Sequence, residues 1–394
     1  MSHLFSTRRR FQLFYALQFG GVGLFMPYLA LYLHHIGLPG FQIGILLGTM
    51  PLVSFLVQPV WGLLSDIYGL RRTALIIGCF GVGLSTLGFA MTANFYWLFL
   101  VILLWSVMRG PISPTGTALA LEYLENENKK DEFGALRLWG SISFSITSFL
   151  VGAFVIDVAI EAIIYLYSFI MLLLTLLTFT LPDAPITQKA NWREGATLLK
   201  RDPVLGAFLF GALIVGMTLG IVNQYLAVYM EDINATGWII GIAMGLSALP
   251  EIPLMATVPK MLGRWGLNVI LIGGVAVLPV RWFLYTFITE PLLVIPTQIL
   301  HGIGMTALLV VGVIYVDRAL SRNWRATGQS LYSASLYGIG PSIGLFAAGA
   351  LYEGGGIWPV WVFSTVAGLA GLGIITWAVR TPTHQPVCTE RSRP

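Results

Sequence analysis

Residues 40–92 read GFQIGILLGTMPLVSFLVQPVWGLLSDIYGLRRTALIIGCFGVGLSTLGFAMT: an apolar run over 40–64, a short turn carrying Asp66, Arg71 and Arg72, then a second apolar run over 73–92. A hydrocarbon layer about 30 Å thick is crossed by about 20 residues of helix rising about 1.5 Å each, so either run is long enough to span it. Neither alternates apolar with polar residues as a barrel strand would. Two membrane-crossing helices joined by a charged hairpin are therefore the unit from which the remaining sequence is read.

Working outward, apolar runs of the same kind fall at 11–33, 96–121, 138–156, 159–181, 205–229, 236–258, 268–288, 292–315, 328–351 and 357–379, which with the first pair predicts twelve spans. The composition agrees: the 394 residues are 56% hydrophobic and 10% charged, with a mean hydropathy of +0.80. Soluble domains carry about 25% charged residues, which excludes an ordinary water-soluble globule. Cys79 and Cys388 lie in an apolar span and a polar tail and form neither a disulfide framework nor a CxxC motif. Arg8, Arg9 and Arg10 lead into a long first span without a small-residue cleavage site, so no cleaved leader is expected.

The net charge of +4 is explained by its placement along the chain rather than by nucleic acid, which is not expected as a partner. Arg8–Arg10, Arg71, Arg72, Lys129, Lys130, Lys189, Arg193, Lys200, Arg201, Lys260, Arg264, Arg318, Arg322, Arg325, Arg380, Arg391 and Arg393 all fall on one side of the twelve-span arrangement. The opposite connections lack Lys and Arg and carry Asp157, Glu231, Asp232, Glu290 and Glu353. By the positive-inside rule the basic side is cytoplasmic, with both chain ends there, and a cell inner membrane is the expected location. The long polar stretch 182–204 predicts a cytoplasmic linker between a bundle over 1–181 and another over 205–380, followed by a polar tail over 381–394. Two internal echoes support a duplicated six-helix unit: Gly44-Ile45-x-x-Gly48 recurs as Gly241-Ile242-x-x-Gly245, and Arg137-x-x-Gly140 as Arg325-x-x-Gly328.

The turn of the opening stretch, Gly62-Leu-Leu-Ser65-Asp66-Ile-Tyr-Gly69-Leu-Arg71-Arg72, resembles the GxLaDrxGrkxx signature of the major facilitator superfamily. That resemblance implies an all-α membrane protein of twelve helices in two six-helix pseudo-repeats, and gives Gly62, Asp66, Gly69, Arg71 and Arg72 the role of a cytoplasmic gate. Asp66 at a helix end could latch a neighbouring basic group or helix N-terminus, or belong to a solvated charge cluster. The matching second-half loop, residues 258–266, lacks the aspartate, so any latch is asymmetric. Met26–Leu33, Leu136–Ser141, Arg325–Tyr332 and Tyr337–Pro341 are similar to the phenylpropionate permease group, related to lactose permease and nucleoside–proton symporters.

Few ionisable residues lie at membrane depth, where each costs about 2.5–3.5 kcal/mol and so demands an explanation. Glu122 and Arg137 resemble the substrate-holding carboxylate–arginine pair of lactose permease, Arg137 offering a bidentate fork; a structural ion pair is the alternative. Arg281 and His301 match that permease's coupling arginine and histidine, while Gly304 and Gln298 stand where it has a carboxylate and a lysine. Glu251, flanked by Pro250 and Pro253, remains as a proton carrier, since a carboxyl withdrawn from water near a resetting Arg281 is placed to exchange a proton; a Glu251–Arg281 structural bridge stays open. His301 is a relay or a hydrogen-bond partner.

Arg109, followed by Gly110-Pro111-Ile-Ser-Pro114, predicts a kinked segment that would attract an anion, and Asn223 and Gln224 offer hydrogen bonds to a polar substrate or a neighbouring helix. Phe25 and Tyr28 could stack on a ring-bearing substrate, although most aromatic residues near span ends anchor the interface. Asp317 beside Arg318 suggests a gate or surface pair.

No GxxxxGK[ST], HExxH, GxSxG or His/Cys ligand cluster is present, so ATP-driven transport, a metal, a cofactor and an intramembrane enzyme are not expected. The expected function is secondary transport by alternating access: proton-coupled uptake of a small-molecule substrate such as an organic carboxylate, aromatic in one version, a sugar or a nucleoside. The alternative is proton-coupled efflux of sugars or drugs. The expected partners are substrate, protons and the lipid bilayer, with the protein a monomer.

Overall fold

The computed structural model describes residues 6–68, 71–129, 132–182, 202–320 and 324–381. The linker expected at 182–204 and the tail at 381–394 therefore lie almost wholly outside the described residues, as do Gly69 and the Asp66 side chain. The described chain is helical, and twelve spans can be followed: α1 Thr7–His35, α2 Gly40–Tyr68, α3 Arg71–Ala90, α4 Phe95–Asn126, α5 Phe133–Ala159, α6 Ala162–Thr178 and α7 Pro203–Asp232. A run over Gly237–Tyr285 follows, then α10 Pro291–Ala319, α11 Thr327–Gly355 and α12 Ile357–Arg380. The Gly237–Tyr285 run is two spans, α8 over 237–265 and α9 over 267–285, because Gly266 at φ 78° breaks the helical path. Only glycine adopts that angle readily, which is how a reversal fits without a loop.

Exposed side chains around the bundle are large and apolar, among them Leu84, Leu100, Leu104, Phe154, Phe169, Leu176, Phe283 and Val366. Helices satisfy their own backbone groups, so such a surface is stable against lipid and marks a multi-pass membrane protein. Each half also has an aromatic knot of its own. In the first, Phe25 stacks on Tyr167 at 4.5 Å beside Trp105; in the second, Tyr229, Trp282, Tyr285 and Trp361 pack together.

Ion pairs identify the two ends of the bundle. Arg8–Glu132, Arg71–Glu122 and Asp317–Arg325 gather at one, here the basic end; His35–Glu231 lies at the other, the acidic end. At the acidic end the halves meet along two seams, α2 on α11 and α5 on α8. Both are contacts of backbone on backbone. A Cβ added to Gly44 would lie 2.6 Å from Gly349 Cα, and one added to Gly241 would lie 2.6 Å from the Phe149 carbonyl oxygen. The internal echo of Gly44 and Gly241 is thus explained: equivalent glycines of the two repeats let the opposite half approach, as small residues do between membrane helices. Gly44→Leu should force that seam apart while leaving membrane insertion intact, checked by a lowered thermal unfolding midpoint in detergent and by surface labelling of the inserted protein.

Toward the basic end the halves diverge. In α2, Ile43–Met50 is buried apart from Ile45, whereas Pro51–Gly62 contains no buried residue; in α8 the buried stretch ends at Gly245, and 246–257 contains none. The bundle is closed at the acidic end and carries a cleft opening at the basic end.

Candidate site in the central cleft

Helix α8 is interrupted over Ser247–Pro250, and Glu251 begins its second segment with Pro250 as the cap. Proline is tolerated at such a start because the first N–H groups of a helix have no internal partner to lose. The break leaves the Glu251 side chain 18% exposed, with Oε1 3.9 Å from His301 Nε2 on α10. His301 Nδ1 lies 2.7 Å from Arg281 Nη1 on α9. Arginine only donates, so Nδ1 accepts, and the proton of a neutral His301 ring sits on Nε2, toward Glu251.

Arg281 is 1% exposed. It also donates to Gln298 Oε1 at 2.8 Å and to the Tyr285 hydroxyl at 2.9 Å, and that hydroxyl meets Thr297 Oγ1 at 2.9 Å. A direct Glu251–Arg281 bridge, one of the sequence-level alternatives, is not formed; the imidazole of His301 stands between the two. Gln298, noted in the sequence for replacing a lysine, accepts from the arginine in a way a lysine could not. Arg281→Ala would strand three buried acceptors and should destabilise the protein by about 3 kcal/mol, read as a lowered thermal unfolding midpoint in detergent. Arg281→Lys should recover only part, because one ammonium cannot reproduce the planar fork.

From the other half, Arg137 near the start of α5 is exposed, its guanidinium carbon 5.3 Å from the centroid of the Phe19 ring on α1. Among the described residues no carboxylate lies within 4 Å of it. It interacts electrostatically with Glu251, and Tyr337 of α11 interacts with both. Tyr337 sits in a π-helical stretch, Ala334–Ile339, a local widening often found at functional sites. The cleft is therefore faced by a cation from one half and a carboxyl from the other, with Phe19 and Tyr337 as aromatic walls. The sequence offered no signal for Phe19 beyond residue type, and Tyr337 stood out there only as the start of a stretch that carries the family resemblance.

Glu122, expected to partner Arg137, is instead 3.5 Å from Arg71, an arginine of the signature turn. With Gln58, Trp61 and Gly62 that arginine borders a cavity of about 150 Å³ closed by Pro111, Pro114, Thr115 and Ala118. Arg72 donates to the Leu181 carbonyl at 3.3 Å. The expected kink after Arg109 is present as a turn at Gly110–Pro111, but Arg109 itself lies in the first half's aromatic knot, 5.0 Å over Trp105 and 3.4 Å from the Tyr167 hydroxyl. Asn223 is exposed, whereas Gln224 places Nε2 3.9 Å from Met26 Sδ at the closed end of the cleft and leaves Oε1 without a hydrogen-bond partner among the described residues. Phe25 and Tyr28, considered for stacking on a substrate, are 0% exposed; Phe25 packs on Tyr167 and Tyr28 donates to the Ser148 carbonyl at 2.5 Å. Asp317 pairs with Arg325 at 3.4 Å rather than with its neighbour Arg318.

Residues 9–364 match the family described as MFS_1 like family. The chain is 28% identical to the maltose permease of Geobacillus stearothermophilus, covering 93% of each sequence. It is 27% identical to the probable 3-phenylpropionic acid transporter of Escherichia coli, over 90% of this chain and 93% of that one. Among solved structures, the nucleoside transporter NupG superposes with a TM-score of 0.85 at 19% identity, over 95% of this chain and 100% of that one, a likeness that establishes the fold.

Proposed function

The chain belongs to the MFS_1 like family, and on that premise we propose that it is a secondary transporter which takes up a small organic carboxylate together with one proton by alternating access. The observation that carries this reading is Arg137, which lies over the Phe19 ring with no carboxylate within 4 Å of it among the described residues and interacts electrostatically with Glu251. A sugar permease and an organic-acid transporter stand at nearly equal identity, so the side chains rather than kinship choose between them. An arginine fork lying on an aromatic face, with Tyr337 opposite, suits a carboxylate attached to a ring or short apolar body.

Charge counting supplies the coupling. With the site empty, ionised Glu251 balances Arg137. A substrate carboxylate can take over Arg137 once Glu251 carries a proton, and the site then has the same net charge as before. Either state avoids adding an unbalanced charge to an apolar interior, which is what the halves need in order to rock about the site. Anion without proton, or proton without anion, leaves one charge over. His301 directs its Nε2–H at Glu251 and so favours the ionised form when substrate has left. On the positive-inside rule the basic end is cytoplasmic, so this conformation is open inward, in the membrane expected from the sequence.

The test is proton movement into proteoliposomes, followed with a lumenal pH dye while aromatic acids, aliphatic acids, sugars and nucleosides are added without an imposed gradient. Lumenal acidification with one class of acid supports the reading. Exchange of radiolabel without any pH change would make the protein a facilitator and the charges structural.

A further inference from the structure

The acidic connections, free of Lys and Arg, are not used by the transport site, yet their carboxylates are not idle. Asp157, at the end of α5, accepts from the backbone N–H of Gly237 at 3.0 and 2.9 Å through its two oxygens. Gly237 is the first residue of α8, on the far side of the seam, and Thr236, the residue in the capping position there, makes no side-chain cap of its own. On the other seam Glu353, near the end of α11, accepts from the backbone N–H of Phe41 at 2.7 Å. Phe41 is the second residue of α2.

The two contacts are one device used twice. In each, a carboxylate ending the last outward-running helix of a seam in one half caps the N-terminus of a helix in the other half; α5 and α11 are equivalent in the repeats, as are α2 and α8. The first N–H groups of a helix lack internal acceptors and carry the positive end of its dipole, so a carboxylate there is both hydrogen-bonded and electrostatically favoured. A cap is ordinarily supplied from the helix's own chain. Supplied across the interface between halves that must separate, it stabilises the closed end and is lost when that end opens. The same end carries His35–Glu231 at 2.6 Å and His34–Tyr352 at 3.4 Å, which also cross between the halves.

We infer that Asp157 and Glu353 are a matched pair of cross-seam helix caps that hold the acidic end of the transporter shut, so that both must be released before the cleft can open there. The inference rests on the alternating-access reading, but its test needs neither substrate nor proton coupling. Met26→Cys, placed where Gln224 closes the cleft, serves as reporter in a background with Cys388 replaced, Cys79 being 0% exposed. Labelling by a membrane-impermeant maleimide is then timed from the acidic side.

Asp157→Ala and Glu353→Ala should each raise the labelling rate about fivefold, and the double variant about 30-fold, since the two caps share no partner. Asp157→Asn with Glu353→Gln keeps a carbonyl acceptor for each N–H and should raise it less than threefold. Unchanged labelling in the double alanine variant, recovered as a monodisperse species, would overturn the inference. An amide pair as open as the alanine pair would overturn it too, since charge rather than capping would then hold the seams. If the alanine pair does not fold, the single variants carry the same comparison. A change in labelling without measurable transport of any tested solute would leave the caps standing and count against the transport reading instead.

Discussion

Glu251→Gln is expected to abolish uphill accumulation, by at least about 100-fold relative to the native protein, while exchange of solute between loaded compartments continues at close to the native rate. The amide keeps the size and hydrogen-bonding capacity of a protonated carboxyl but can neither release its proton nor become the anion that reclaims Arg137. A loaded carrier, neutral at residue 251, can still rock; an empty one carries an unpaired Arg137 and is trapped by the cost of that charge in the apolar interior, which at about 3 kcal/mol accounts for the expected factor. Counterflow needs only loaded carriers and so survives. The check is a pair of measurements on one preparation: gradient-driven uptake and equilibrium exchange. Equal loss of both would make Glu251 a substrate or structural ligand, and unaltered accumulation would remove it from the coupling scheme.

Arg137→Lys is expected to weaken substrate binding about 30-fold, and Arg137→Ala by about 100-fold or more, with the maximal transport rate of the lysine variant changed far less than its half-saturating concentration. Two parallel charge-assisted hydrogen bonds are worth about 2–3 kcal/mol in a partly desolvated site, and a lysine forms one of them at best. The lysine variant also loses the flat contact with Phe19, since a compact ammonium does not lie on a ring as a guanidinium does. Saturation curves for uptake, with binding measured separately by ligand-induced fluorescence change, distinguish these effects. Undiminished affinity in Arg137→Lys would remove the clamp.

The twelve spans were legible because length and charge alternation are one-dimensional properties. Interruptions were legible for the same reason: the turns at Gly110–Pro111 and Ser247–Pro250 stand where proline and glycine punctuate apolar runs. The Gly44 and Gly241 echo was visible as a repeat, but its purpose was not, since nothing in a single chain says that Gly349 or Gly152 will arrive opposite. Pairings were least legible. Glu122 lies near Arg137 along the chain, yet helix direction takes it to Arg71; Arg281 and Glu251 are separated by a ring contributed from α10. Asp157 and Glu353 carried no local pattern at all, because the helix each one caps belongs to the other half of the chain.

Of the carboxylates at or near membrane depth among the described residues, Glu122 and Asp317 are bound to arginines at the basic end, which leaves Glu251 as the one in the cleft. If the proposed coupling holds, a lone exchangeable group implies one proton per solute, and for a monovalent anion such a cycle would move no net charge across the bilayer. Its driving force is then blind to membrane voltage, which would otherwise contribute about 2.3 kcal/mol per charge for each 100 mV. Accumulation would follow the proton concentration ratio alone, about tenfold for each pH unit. A cell living near neutral pH, with most of its proton-motive force stored as voltage, would gain little from this carrier; one in an acidic habitat would gain a great deal.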